Sequence, residues 1–320
     1  QERLAAGGEE RATRRAHAAY CLVLAEEGSS QTPETEGGWL NRLEVEHENF
    51  LGALDWLGRD GREAEWALRL GGALFPFWER REYLSEGRGY LRKILGLPGA
   101  QGRTGARSRA LFSAGVLAAT QGDWGDAQGL YEESLAIARE LGDASAQAVA
   151  LNALAVNAQE SGDLALARAR IEETIVLWES LQDWRAVARS LSNLGGVERA
   201  AGNLDRASAL YEQCRVTFRE LGDRNGIAWS LNHQGDVARA QGKAEAARAL
   251  YGEGLAEFRA ASGFGETRQG FYELLFRVVD ILQLVQEEGL QGVEAHDLAP
   301  EKGVGDGQAS LRRSVVGFLS

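Results

Sequence analysis

Methionine is absent from this chain, position 1 included, and proline is nearly so. A chain without Met is expected of a fragment or a processed product. Proline occurs at Pro33, Pro76, Pro98 and Pro300, so the long stretch between Pro98 and Pro300 lacks the strongest helix breaker. Glycine, by contrast, numbers 40 in 320 residues. That pairing disfavours a turn-rich sandwich and favours helices ended by glycine. Two cysteines, Cys21 and Cys214, are too few for a disulfide framework and point to a reducing, cytoplasmic setting. The opening QERLAAGGEERATRR has no apolar h-region, so no signal peptide is read. The longest uncharged run, Ala144 to Gln159, is too short to span a bilayer and carries Ser, Asn and Gln, so no membrane partner is expected. Basic residues number 35 against 47 acidic ones, a net charge of −12, which argues against direct nucleic-acid binding.

What is present is a repeat. Gly122, Gly162, Gly202 and Gly242 stand 40 residues apart. Five residues after each comes Ala127, Ala167, Ala207 or Ala247, and four further on comes Tyr131, Ile171, Tyr211 or Tyr251. Seven before each glycine the residue is small (Gly115, Ala155, Gly195, Gly235), and four before that it is Leu111, Leu151, Leu191 or Leu231. Leucine and the small residue, four apart, share one helical face, and so do alanine and the bulky residue. Each copy therefore reads as a helix, a glycine turn and a second helix, with Asp123, Asp163 and Asn203 placed to cap the helix that follows. A second break follows each pair, at Gly142-Asp143, Gln182-Asp183 and Gly222-Asp223.

This spacing resembles the tetratricopeptide repeat in a longer variant, strongly from Arg109 to Arg259. The resemblance implies an all-α fold, a right-handed superhelical α-solenoid of stacked helix-turn-helix units of period 40. One period earlier, Arg69 to Leu95 reads as a degenerate unit, with Gly87 at the alanine position and Leu91 at the bulky one. It departs at Phe75, where a small residue is expected, and Pro76 should kink its first helix.

Residues 9–27 read as an amphipathic helix, Gly28 to Gly38 as a loop by composition, and Trp39 to Trp56 as another helix. The run WLNRLEVEHENFLGALDW over 39–56, with Leu84 to Arg88 and Tyr90-Leu91, resembles the segment leading into the repeats of bacterial signal-transduction ATPases with numerous domains (the STAND class). The expected organisation is a helical lead-in over 1–67, a solenoid over 68–262, a capping helix within 263–290 drawn from Phe271 to Glu288, and a tail over 291–320.

Catalytic motifs are missing. The only Gly-Lys, Gly242-Lys243, is followed by alanine, so there is no phosphate loop, and there is no HExxH, CxxC pair or G-x-S-x-G elbow. No cofactor or metal is expected, and no enzyme. Glu44, Glu46, His47 and Glu48 cluster on one segment, but they read as a solvated acidic face around a half-buried histidine. An enzymatic site there would have to recruit distant residues such as His17. Cys21 and Cys214 read as buried, inert thiols, and Trp56, Trp66, Trp78 and Trp178 as packing.

The functional expectation falls on the first helices, which the resemblance places along a concave groove. Carried over by register, the candidates are Arg109 and Phe112 (with Val116 and Thr120) in the first clear unit, and Asn152 and Gln159 (with Val156 and Glu160) in the second. They are Arg189, Asn193 and Arg199 (with Ser192) in the third, and Trp229, Asn232, His233, Asp236 and Arg239 in the fourth. Carboxamides can clamp an extended peptide backbone through donor and acceptor together. Arg189, Arg199 and Arg239 suit an acidic partner. The resemblance thus implies a non-catalytic protein- or peptide-binding scaffold, the sensor arm of a multidomain bacterial signalling or transcription regulator with a nucleotide-binding module in cis. A free-standing adaptor or peptide receptor is the alternative.

Overall fold

A computed structural model describes residues 2–30, 33–59 and 62–261. The segments expected to cap the array and to trail from it, 263–290 and 291–320, lie outside the described residues. Among those residues there are thirteen α-helices and no strand. A lead-in holds α1 (Glu2–Glu26), α2 (Pro33–Val45) and α3 (His47–Leu57). Five helical hairpins follow. They are α4 (Ala64–Arg80) with α5 (Leu84–Leu95), α6 (Gly105–Thr120) with α7 (Trp124–Leu141), α8 (Ala144–Glu160) with α9 (Leu164–Ser180), α10 (Trp184–Ala200) with α11 (Leu204–Glu220), and α12 (Arg224–Ala240) with α13 (Ala244–Ala260). Each helix packs on its neighbours in chain order, and first helices of successive hairpins meet, as α6 meets α8 and α10 meets α12. This is an α-solenoid built from the expected repeat.

The register residues do what their sizes suggest. Ala127, Ala167, Ala207 and Ala247 are fully buried at the helix crossings. A ring lies over the small residue of its own unit. A Cβ added to Gly115 would stand 2.6 Å from Tyr131 Cε1, and the same holds for Gly195 beneath Tyr211, at 2.6 Å. The second unit pairs a larger small residue, Ala155, with a smaller partner, Ile171, and both are buried. In α4–α5 the roles are exchanged. Gly71 makes room for Leu91 and Ile94, while Gly87 lies under the Trp78 indole. Phe75 at the small position is thereby accommodated, and α4 continues to Arg80 with Pro76 inside it.

The turns use the left-handed conformation, as at Gly122 (φ 79°) and Gly202 (φ 80°). Glu82 (φ 63°) and Gln182 (φ 57°) hold the same conformation without being glycine. After the turn, the carboxylates of Asp123, Asp143, Asp163, Asp183 and Asp223 each accept from the backbone N–H three residues on. Asn203 departs from this pattern. Its Nδ2 donates instead to Glu198 Oε2 at 2.7 Å. Glu198 is fully buried and takes a two-pronged ion pair from Arg168, at 2.7 and 3.0 Å, which ties α9 to α10. Burial alone would raise the Glu198 carboxyl, but Arg168, Asn203 and Arg206 outweigh it and hold it below its ordinary value.

The lead-in differs from its sequence reading in two places. The stretch expected to be a loop over 28–38 contains a short 3₁₀ turn, Glu27–Ser30, and the start of α2 at Pro33. Proline's missing N–H costs no helical bond at a first position. The helix expected over 39–56 is interrupted at Glu46, between α2 and α3. No glycine or proline marks that break. α2 packs on the 3₁₀ turn while α3 packs on α1 and α4, so tertiary contacts set it. One buried cluster runs unbroken from Ala18, Cys21 and Trp39 through α3, α4 and α5 to Leu117 of α6 and Ile137 of α7. Trp39 Nε1 donates to Leu24 O at 3.1 Å, and its indole covers Gly28. At the entry to the array, the buried Arg107 guanidinium binds the carbonyls of Leu95 (3.2 Å) and Ala100 (2.8 Å) and the Glu133 carboxylate.

Candidate functional site

A groove of about 870 Å³ runs along the array, with α6, α8, α10 and α12 supplying most of its lining. Ten of the expected residues lie in it: Phe112, Val116 and Thr120, Asn152 and Val156, Arg189, Ser192 and Asn193, and Trp229 and His233. The helical repeat brings them together because first-helix positions recur one hairpin apart on the same side. Asn193 Nδ2 donates to Asn152 Oδ1 at 2.7 Å, joining α10 to α8 across the groove floor. That bond uses one donor and one acceptor. Asn152 Nδ2 and Asn193 Oδ1 have no partner among the described residues, and both side chains are half-buried.

Toward α12 the lining becomes aromatic. The His233 ring stacks on Tyr211 at 5.0 Å and on Trp229 at 6.1 Å, and Phe258 meets Trp229 edge-on at 5.6 Å. Burial raises the Tyr211 hydroxyl above its ordinary value, opposed in part by Arg199. Arg189 is exposed, with no ion pair among the described residues.

The other seven expected residues stand outside the groove lining. Asn232 is fully buried, and Asp236, also buried, accepts from Tyr251 Oη at 2.8 Å. The stem of Arg109 lies against Gly72 of α4. Gln159, Glu160, Arg199 and Arg239 sit in the last turns of their helices, beyond the groove.

Among the lining residues that the sequence reading did not place in the groove are Trp124, Trp178, Arg185 and Asn225. Arg185 was the most accessible of them, being one turn before Arg189 on the same helix, and it is ion-paired with Asp223 of the next hairpin. Trp178 was read as packing. It occupies the register of Phe218 and Phe258, at the end of a second helix that also reaches the groove. Asn225 Oδ1 is buried and has no hydrogen-bond partner.

The acidic lead-in cluster is engaged internally. His47 Nε2 lies 2.7 Å from Glu86 Oε1, with its ring against Phe77 and Tyr83. Tyr83 Oη donates to Glu44 Oε1 at 2.7 Å, and Glu46 accepts from Asn49. His17 faces Cys21 Sγ, at 3.7 Å. Among the described residues no group of three potential ligands could hold a metal ion. Burial pushes the Cys21 thiol up to about 11, with the Glu46 charge adding, and the Cys214 thiol up to about 12. Cys214 Sγ donates to Ala188 O at 3.2 Å, in the packed small-residue register that Thr174 fills one unit earlier. Among the described residues no helix is long and apolar enough to cross a membrane.

Residues 107–180 and 186–260 match the family model of the tetratricopeptide repeat. No curated protein matches the chain. Among solved structures the chain is similar to NprR in complex with its cognate peptide NprX, at 16% identity and a TM-score of 0.59 over 94% of this chain and 87% of that one. It is similar to BtubC from P. vanneervenii, at 18% identity and a TM-score of 0.58 over 70% of this chain and 92% of that one. It is also similar to a signal-transduction ATPase with numerous domains carrying a tetratricopeptide repeat sensor, from Pyrococcus horikoshii, at 14% identity and a TM-score of 0.57. That match covers 76% of this chain and 42% of the ATPase. At these identities the likeness is one of fold.

Proposed function

From the premise that residues 107–180 and 186–260 are tetratricopeptide repeats, we propose that this chain is a non-catalytic scaffold that holds an extended peptide segment of a partner in the groove. The observation that carries the reading is that carboxamides from three successive first helices, Asn152, Asn193 and Asn225, border the same groove. A peptide backbone alternates N–H and C=O. Asn193 Oδ1 can accept from its N–H groups, Asn152 Nδ2 can donate to a carbonyl, and Asn225 can offer its carboxamide once its side chain turns toward the groove. Such contacts grip a backbone without reading its sequence. Arg189, exposed and unpaired at the groove in a chain of net charge −12, favours an acidic side chain on the partner. Trp229 offers an apolar shelf beside it.

We further propose that the scaffold is the sensor arm of a multidomain bacterial regulator, joined to a nucleotide-binding module. The lead-in over 39–56 and the fold shared with the STAND sensor support this. A free-standing adaptor is the second reading, and the coding sequence upstream of Gln1 separates the two by the presence or absence of a phosphate loop. The groove itself is tested on an array of extended acidic, neutral and basic peptides. We expect acidic peptides to bind best, and Asn193→Ala with Asn225→Ala to weaken them about tenfold, the loss of one to two hydrogen bonds, with helical circular dichroism unchanged. Undiminished binding by the double variant rules the clamp out.

A further inference from the structure

Tyr131, Tyr211 and Tyr251 hold the same register position, and two of their hydroxyls have a partner in the chain. Tyr251 Oη donates to Asp236 at 2.8 Å, and the Arg199 guanidinium stands at the Tyr211 hydroxyl. Three periods before Asp236 the residue is Val116, and two periods before Arg199 it is Ala119. Tyr131 is thereby denied both kinds of partner. Its side chain is 3% exposed, and its hydroxyl makes no hydrogen bond among the described residues. A buried hydroxyl left so is unfavourable, and folded chains rarely keep one without use for it. The oxygen is not sealed in, because Tyr131 lines the groove. Around it the lining is apolar. Phe112 lies 5.7 Å from the Tyr131 ring and packs with Val116 on the same buried cluster, while Val156 on α8 is 43% exposed. The charged groups of the lining, Arg185, Arg189 and Asp223, belong to α10 and to the cap of α12.

We propose that Phe112, Val116, Tyr131 and Val156 form a subsite for one large apolar side chain of the groove peptide, with Tyr131 Oη donating to the backbone carbonyl of the residue that fills it. The inference rests on the scaffold reading and gives its partner a two-part chemistry, an apolar anchor with an acidic residue a few positions away. A neutral carbonyl is the acceptor that fits. Burial keeps the Tyr131 phenol protonated, and the Glu79 charge that adds to this effect also disfavours a carboxylate beside it. An apolar side chain fits the surround, since its arrival takes Phe112, Val116 and Val156 out of water together with itself. The acidic residue belongs one hairpin further on, where Arg189 holds the register position of Val149. Packed helices stand about 8–10 Å apart. An extended chain crosses from α8 to α10 in about three residues.

The test titrates the full chain with peptides of about nine alanine and serine residues, long enough to cross two such steps. Each carries leucine or alanine at one position and aspartate or asparagine about three residues away, in both orders. Leucine is expected to bind about tenfold tighter than alanine, or more. Tyr131→Phe deletes only the hydroxyl and is expected to weaken the leucine peptides about threefold to tenfold. Its thermal midpoint is expected to hold or rise, because no hydrogen bond within the chain is lost. Val156→Asn, at an exposed position, is expected to cut the leucine preference to about threefold or less. It should leave the preference for aspartate over asparagine, which Arg189→Gln removes instead. Tyr131→Phe binding as the parent does, or a leucine preference undiminished by Val156→Asn, overturns the subsite. If acidic peptides still depend on Asn193 and Asn225 in that event, the scaffold reading stands without it. No binding by any of the peptides overturns both.

Discussion

The tightest constraint on this fold is a matching of sizes inside single hairpins. Gly115, Gly195 and Gly235 each sit under a tyrosine ring, and the one alanine at that position, Ala155, sits with Ile171. Gly195→Ala would bring a methyl to 2.6 Å from Tyr211 Cε1 and 2.9 Å from Cζ. The ring is buried and cannot swing out, so the clash exceeds the roughly 1 kcal/mol that alanine adds in helix propensity. A net loss of about 1–3 kcal/mol is expected. Tyr211→Ile alone should cost about 2–4 kcal/mol by leaving a void above Gly195. The two together recreate the pair found in the second unit, so their combined cost in urea unfolding should fall well below the sum. Additivity to within about 0.5 kcal/mol would show that the two side chains do not share one cleft.

At the scale of the helix and its turn, the left-handed residue repeats as strictly as the side chains do. Gln182 and Glu82 occupy that conformation at a cost of about 1–2 kcal/mol relative to glycine's freedom there. Gln182→Gly should therefore stabilise the chain by about 1 kcal/mol net of the entropy that glycine adds to the unfolded state, read as a raised thermal midpoint. Gln182→Ala should give no such gain, and an equal rise in both would point to the side chain rather than the backbone. These turns were legible from sequence because glycine, aspartate and a small residue act locally and recur. The break between α2 and α3 at Glu46 was not, since it follows from what each half packs against. The groove was legible by half for a related reason. Register places Asn152, Asn193 and Trp229 on its wall, but the same register also nominates Asn232 and Asp236, and in the fourth unit these two turn inward to full burial and to Tyr251. Trp178 was missed because it reaches the groove from a second helix, which a first-helix rule does not cover, and Asn225 because it lies in the first turn of α12, outside the positions that the register nominates.

For the molecule as a whole, the question is what closes the amino-terminal end of a quasi-one-dimensional stack, in which each unit is held only by its neighbours. The buried cluster that contains Trp39, Leu43, Phe50, Leu54 and Leu57 continues without interruption into α4, α5 and α6. The lead-in therefore serves as the cover of the first hairpin. Each of those side chains contributes about 1.5–3 kcal/mol by leaving water. A handful of them matches the net stability of an ordinary domain, about 5–15 kcal/mol. A chain started at Arg62 would bare the α4 face that α1 and α3 cover, and its first hairpins should melt below the remainder of the array. Hydrogen exchange should show it as lost protection in α4 and α5, falling off through α6 and α7, with α10 to α13 little changed. Uniform protection across all hairpins in the shortened chain would mean that the lead-in is a separate body and that α4 is closed by some other contact.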